Sequence, residues 1–526
     1  MSKIPTRTLT IVGGGTAGWM TAAAVAHFLR RGWAITLVES DAIGTIGVGE
    51  ATIPQIRHFN AALGIDEAEM LRACQGSFKL GIAFEGWRAP GHRYMHGFGG
   101  VGRDLGLMPF CHYWVAAKRS EDNRAGLPVG KAREDSLDAH SVAAQAAYAG
   151  RFAPPDPARP APAGGHNYAY HIDATLYAAF LRQRAEAGGV TRIESRITHV
   201  TRDGASGDIS ALVLENGTHV GGDLFIDCSG MAGLLIEREC AAGFEDWGHW
   251  LPCDTALAVP SRAGFPVGKA GEEGQHGGPI MPYTRSIARP AGWQWQIPLQ
   301  HRVGNGHVYA SRHMSDDEAA TILLANLPGE ALAEPRKIGF TAGRRRKIWS
   351  QNVIAIGLSS GFLEPLESTS IHLIQTGIER LLQRLPTASP SEVERAAYND
   401  DARVEMERIR DFIILHYCAN GRDEPFWRGR RDAPIPDSLS ERIALFRDCG
   451  RIARHGNELF TQLAWQQVLI GQGVVPNAAH PLTEQISADD LSGFIETTRR
   501  AVSHSAAAMP THADFIARHC AAGVPL

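Results

Sequence analysis

Lysine is scarce in this chain, with seven residues out of 526 against 45 arginines. Arginine stays charged in every protein setting, whereas a buried lysine can lose its proton, so each lysine is a candidate for chemistry. Paired cysteines are also missing. The eight cysteines are scattered with no Cys-x-x-Cys spacing, which argues against zinc ribbons and thioredoxin-type redox centres. Reduced thiols and no metal site are the expectation. Neither sign of charge is in surplus: 52 basic and 56 acidic residues leave a net charge of −4, no basis for binding nucleic acid or an acidic membrane. No apolar run is long enough to cross a bilayer. The first residues lack the charged, apolar and cleavage regions of a signal peptide, so a cytoplasmic location with no membrane partner is expected.

What remains is ordinary globular composition, 44% hydrophobic and 21% charged, in a chain longer than one simple core normally holds. Residues 8–12 read as a buried strand, followed by a glycine turn, an alanine-rich helix to about 29 and a second strand at 35–38 ending on Glu39. A helix is expected over 173–186, short strands over 189–214, and further buried strands at 224–230 and 353–357. The last precedes a helix starting near Ser368. Strands interleaved with helices predict an α/β nucleotide-binding core assembled from separated segments. Stretches 153–165 and 261–278 read as loops. Past 386 the character turns helical: Ser389-Pro390-Ser391-Glu392 has capping-box spacing, and Gly421 would end a helix reaching 420. The expected division is 1–385 as the core with inserted pocket segments, and 386–526 as a helical module completing the pocket.

Gly13, Gly15 and Gly18 have Gly-x-Gly-x-x-Gly spacing between strand and helix, with Gly14, Thr16 and Ala17 inside the turn. This motif lets a pyrophosphate approach the backbone at a helix N-terminus. Glu39 stands where a carboxylate receives ribose hydroxyls. The motif alone leaves FAD and NAD both open. A second glycine-rich loop, Gly47-Val48-Gly49-Glu50-Ala51-Thr52-Ile53-Pro54, is either punctuation or a wrap for the flavin half of FAD.

Five segments together resemble the flavin-dependent halogenases, a family best known through the tryptophan halogenases. They are the Gly13–Trp19 turn, the Gly47–Thr52 loop, Lys79 within Ser77-Phe78-Lys79-Leu80-Gly81, Trp293-Gln294-Trp295-Gln296-Ile297-Pro298, and Phe362-Leu363-Glu364-Pro365-Leu366-Glu367-Ser368-Thr369. The likeness covers about 8–430. It implies a Rossmann-like FAD-binding core of the flavoprotein monooxygenase type with an added, largely α-helical substrate module. FAD as FADH2 and a halide ion are the implied cofactors, with flavin contacts at the first turn, Glu39, Gly49, Ala51, Thr52, Gly357 and Leu358.

The implied chemistry begins with reduced flavin and O2 giving a C4a-hydroperoxide. A halide attacks it, and the resulting hypohalous acid travels to a separate substrate pocket. Lys79 matches the lysine that hydrogen-bonds this oxidant or forms a haloamine with it. Read without the family, a lysine in so apolar a run would more often snorkel to the surface. Glu367 matches the glutamate that polarises the oxidant or accepts the ring proton. Glu364 is the decoy, and either carboxylate could simply favour a helix N-terminus. Halide is expected at Ser368, Thr369 and Ser370. The family has glycine at the last of these, so Ser370 favours bromide over chloride. Trp293 and Trp295 match residues that keep substrate away from the flavin, although period-two aromatics also fit a strand core.

His96 and Phe98 resemble the His-x-Phe-Gly segment that lines the aromatic pocket. Where tryptophan halogenases carry a Tyr-Tyr pair gripping the amino-acid group, this chain has Trp465-Gln466. Indole or another electron-rich aromatic is therefore expected over free tryptophan. A separate NAD(P)H-dependent flavin reductase is the implied partner, and monomer or homodimer is left open. The competing readings are a flavin-dependent aromatic monooxygenase, a non-catalytic flavin-binding protein and, more remotely, a nicotinamide dehydrogenase.

Overall fold

The computed structural model describes residues 6–29, 31–43, 49–125, 136–158, 164–262, 280–386 and 390–523. At its centre, strand Arg7–Val12 lies parallel to Leu224–Asp227 on one side and to Trp33–Glu39 on the other. Val353–Ala355 and Thr191–Glu194 extend this parallel sheet outward, and Trp349–Ser350 closes one edge in antiparallel sense. Leu9, Ile11, Leu37, Phe225 and Ile226 are fully buried, because apolar runs without alternation suit a parallel sheet covered on both faces. The helix Thr16–Phe28 buries every residue from Gly18 to Ala26. Its small alanines allow close packing against helix Ala174–Ala187.

A seven-stranded sheet lies beside this core, in the order Arg336–Gly339, Thr255–Arg262, Arg302–Tyr309, Gly292–Pro298, Thr284–Arg289, Gly81–Glu85, Arg93–Gly97. It carries Trp293, Trp295 and His96. A small antiparallel sheet pairs Ala169–Ile172 with both Glu50–Ala51 and Ser77–Lys79. That pairing brings the second glycine-rich loop next to Lys79. Gly47 and Val48 fall outside the described residues, as do 159–163 and 263–279 of the two expected loops.

The described residues from 390 onward form helices and no strands. The capping box is present two residues later than the spacing suggested. Ser391, not Ser389, caps helix Glu392–Cys418, and Glu394 returns the reciprocal bond; Ser389 lies outside the described residues. Pro390 precedes the cap rather than opening the helix. The helix stops at Cys418 with Ala419 as its cap. Gly421 has another reason to be glycine, since a Cβ there would stand 2.5 Å from the Arg88 carbonyl oxygen.

Helix Gln462–Gly471 packs on strand Arg93–Gly97, where the Gly97 amide donates to Gln467 Oε1 at 3.0 Å. Helix His512–His519 braces the Lys79 strand: the Phe78 amide donates to His512 Nε2 at 3.1 Å, and His512 Nδ1 donates to the Ile280 carbonyl at 2.9 Å. Burial holds that imidazole down at about 4, neutral as this pairing requires. All eight cysteines are free thiols. Among the described residues no helix is long and apolar enough to cross a membrane, and no cluster suits a metal ion.

Candidate active site

The glycine turn is shaped for a dinucleotide. A Cβ at Gly18 would fall 1.8 Å from the Gly13 carbonyl oxygen, so turn and helix can meet only through glycine. Gly14 is required for a reason the motif does not state: a Cβ there would sit 1.3 Å from Glu39 Oε2. Gly15, by contrast, has nothing within 4 Å of its Cβ position. It is the N-cap of helix Thr16–Phe28, and no side chain caps that helix end. Open space in front of uncapped helical amides is what a pyrophosphate needs, so these residues fit FAD. Glu39 is fixed by Arg192, whose Nε donates to Oε1 at 2.5 Å. Gly357 meets Ala17, with 2.7 Å between its hypothetical Cβ and the alanine methyl, and Leu358 beside it is half-buried.

Gly15→Val is therefore expected to leave the fold intact, because the new side chain enters empty space. FAD affinity should drop about ten- to a hundred-fold, the equivalent of about one charged hydrogen bond. Equilibrium binding of FAD beside a thermal melt checks this.

Lys79 is fully buried. Its Nζ donates to the Thr52 carbonyl at 2.9 Å and to Ser368 Oγ at 2.7 Å, and lies 5.2 Å from the centre of the Phe98 ring. Burial brings its pKa down to about 7, with Glu367 pulling the other way. It does not snorkel. Ala51 is buried one residue before Thr52, and Gly49 leads into that strand in a left-handed turn at φ +87°.

Glu367 is likewise buried, and both of its oxygens are occupied. His96 Nδ1 donates to Oε2 at 2.8 Å, and His416 Nε2 donates to Oε1 at 2.7 Å. Burial alone would raise this carboxyl, but the two imidazoles outweigh it and hold the pKa down at about 2. Tyr94 OH sits 3.1 Å from His416 Nδ1; its donation there fixes the tautomer that presents Nε2–H to the carboxylate. Nothing in the sequence marks His416. It stands in the last turn of a 27-residue helix, where a histidine ordinarily complements the helix dipole.

Glu364 belongs to a different cluster. Its Oε2 accepts from Trp293 Nε1 at 2.9 Å and from Tyr417 OH, and burial raises its pKa to about 7. Trp293 is thus pinned by Glu364, and Trp295 packs over Gly306, where a Cβ would meet the indole at 2.0 Å.

Ser368 adopts φ +58°, a strained conformation for a non-glycine residue that turns its hydroxyl toward Lys79. Thr369 is the N-cap of helix Ser370–Gln383, with no side-chain cap. Its Oγ1 is buried without a partner. An uncapped helix start beside an unsatisfied buried hydroxyl suits a small anion.

The structure therefore gathers Lys79, Glu367, His96, Phe98, Thr52 and Ser368 into one buried site. Trp465 joins it indirectly: its ring packs edge-on against Phe412 at 4.8 Å, and Phe412 lies 5.6 Å from His96. The stacked Phe412–Phe460 pair at 3.7 Å is a further aromatic element that sequence reading missed, since an isolated phenylalanine on a helix and another in a connection look like ordinary core.

The tryptophan halogenase family model matches residues 8–488. The chain belongs to this family. A solved flavin-dependent halogenase from Xanthomonas campestris is 47% identical, with TM-score 0.90 and coverage of 99% of this chain and 100% of that one. A flavin-dependent halogenase from Brevundimonas is 43% identical, also at TM-score 0.90, over 98% and 99% of the two chains. A tryptophan 6-halogenase of Streptomyces toxytricini is 34% identical over 91% of this chain and 92% of its own. The protein is thus an enzyme with the FAD-binding fold of the flavin-dependent halogenases. Members of this tryptophan halogenase family use FADH2 and halide, act on an aromatic substrate and generally need a separate flavin reductase.

Proposed function

We propose that this halogenase oxidises bromide in preference to chloride, and delivers the halogen through Lys79 to an electron-rich aromatic such as indole. The observation that carries this reading is the buried Lys79 amine, held between Ser368 Oγ and the Thr52 carbonyl and facing Phe98. Reduced FAD, when bound at the Gly13–Gly18 turn, supplies with O2 the two-electron oxidation of halide to hypohalous acid. Every later task falls to side chains. Lys79 either donates a hydrogen bond to the oxidant, polarising its O–X bond, or exchanges a proton for the halogen and releases water. Its enclosure keeps a diffusible oxidant from escaping and from side reactions. As the ring carbon gains halogen it must lose a proton, and Glu367 is an ionised acceptor at any ordinary pH.

Thr369 and the helix start at Ser370 would hold the halide. The serine side chain, where the family has glycine, reshapes that pocket in favour of the larger and more easily oxidised bromide. Residues 1–385 would supply flavin and lysine, and 386–526 would complete the substrate pocket. His416, Phe412 and Trp465 support that division, because each reaches the site from a helix beyond 386.

The test uses FAD, an NAD(P)H-dependent flavin reductase, bromide or chloride, and an indole panel read by mass. Brominated indoles should dominate. Free tryptophan should trail indole by about ten-fold or more, since Trp465-Gln466 stands in place of the Tyr-Tyr pair that grips an amino acid. Tryptophan turning over much faster than indole would overturn the substrate assignment.

A further inference from the structure

Two imidazoles occupy the oxygens of Glu367, yet only one of them has a nitrogen to spare. His416 gives Nε2–H to the carboxylate and receives the Tyr94 hydroxyl at Nδ1, so both of its nitrogens are taken. His96 gives Nδ1–H to Glu367 Oε2, which leaves Nε2 as a lone-pair acceptor in the neutral ring. That nitrogen has no hydrogen-bond partner among the described residues, and it is not sealed away as His307 Nε2 is. The His96 side chain is 7% exposed against 1% for Glu367. Of the pair, the imidazole is the group that open space reaches.

The ring is also held in place. Pairing of Gly81–Glu85 with Arg93–Gly97 sets His96 across from Ile82, Phe412 and Phe460 pack on it at 5.6 and 6.2 Å, and the bond to Glu367 fixes its rotation. Phe98 stands edge-on to it at 6.4 Å, and the same Phe98 ring has Lys79 Nζ at 5.2 Å from its centre. A substrate ring packed on Phe98 is therefore beside both the amine and the imidazole. Glu367 itself has both oxygens occupied and its pKa held down at about 2, which makes it a weak base toward a carbon-bound proton. An imidazole oriented by a carboxylate is the stronger arrangement.

We propose that His96 Nε2 takes the proton from the halogenated ring carbon, with Glu367 orienting the imidazole and balancing the charge it gains. The C–H bond breaks, its electron pair restores the aromatic ring, and a new N–H bond forms at Nε2. The imidazolium keeps Nδ1–H on Glu367 and sheds its extra proton to water after product leaves. This rests on the proposed halogenation of an aromatic and places His96 between the ring proton and Glu367.

The experiment measures single-turnover bromination of indole, and separately of indole deuterated at every ring carbon, by enzyme loaded with reduced FAD. Wild type should show no isotope effect, because an oriented base removes the proton faster than halogen arrives. His96→Phe keeps a ring against Phe412 and Phe460, and His96→Gln keeps a donor for Glu367, but neither has a basic nitrogen. Both should lose about a hundred- to ten-thousand-fold in rate. Both should also acquire a primary isotope effect of several-fold, since proton loss becomes limiting. FAD affinity reports folding. A slower rate without an isotope effect in the folded variants gives His96 a packing role and overturns the inference, as does an undiminished rate. If neither variant folds, nitrogen NMR of the wild type decides: Nε2 must lack a proton, and an Nε2–H tautomer overturns the assignment. These results leave the proposed reaction standing, whereas a wild type that yields no brominated product overturns the reaction and the inference together.

Discussion

Lys79→Ala should abolish halogenated product while FAD binding and the reductase-fed consumption of O2 continue. If the amine acts only as a hydrogen-bond donor to the oxidant, the loss should be about a hundred- to a thousand-fold, as for a single preorganised donor. If the amine carries the halogen, activity should fall to the background reaction of free hypohalous acid. Product formed per flavin oxidised is the measurement, and wild-type yield from the alanine variant would remove Lys79 from the chemistry. The pH profile separates the two roles. With a pKa brought down to about 7, the neutral amine gains population as pH rises through that value. A haloamine route needs the neutral form, so yield should climb across about pH 6 to 8. Glu367, held near 2, contributes no step in that window. For stability the sign is the same: the unfolded lysine keeps a proton that the folded one sheds, so stability rises with pH between about 7 and the ordinary lysine value of 10.5.

Glu367→Gln should cost about a hundred- to ten-thousand-fold in halogenation, the usual range for a general base. Flavin binding at the Gly13–Gly18 turn should be unchanged. The carboxylate accepts from both His96 and His416, and a carboxamide can accept at only one of its two ends. Tyr94 fixes the His416 tautomer, so His96 must change tautomer to face the new N–H group. Single-turnover product formation under saturating reduced flavin checks the prediction. Retained turnover in the glutamine variant would assign Glu367 a purely structural place between the two imidazoles.

Much of this was legible in the sequence. The glycine spacing, the apolar strands on either side and Glu39 specify a dinucleotide turn through local geometry alone, and the structure builds that turn. The scarcity of lysine made Lys79 worth attention, and the capping pattern near 390 foretold a helix, two residues from where it begins. Local chemistry could not choose between Glu364 and Glu367. Both are buried carboxylates on one short segment, and their partners lie far away in the chain: Trp293 and Tyr417 for one, His96 and His416 for the other.

The sequence by itself therefore determined the dinucleotide turn and the α/β core around it, because turns, strands and caps are set by neighbours within a few residues. Tertiary structure alone decided the state of the Lys79 amine. Pairing of Ser77–Lys79 with Ala169–Ile172 and the bracing helix at His512 bury Lys79 among long-range partners. Desolvation then moves a group that would be charged at the surface toward neutrality. The same packing moves Glu367 the opposite way, since two imidazoles from distant segments more than offset its burial.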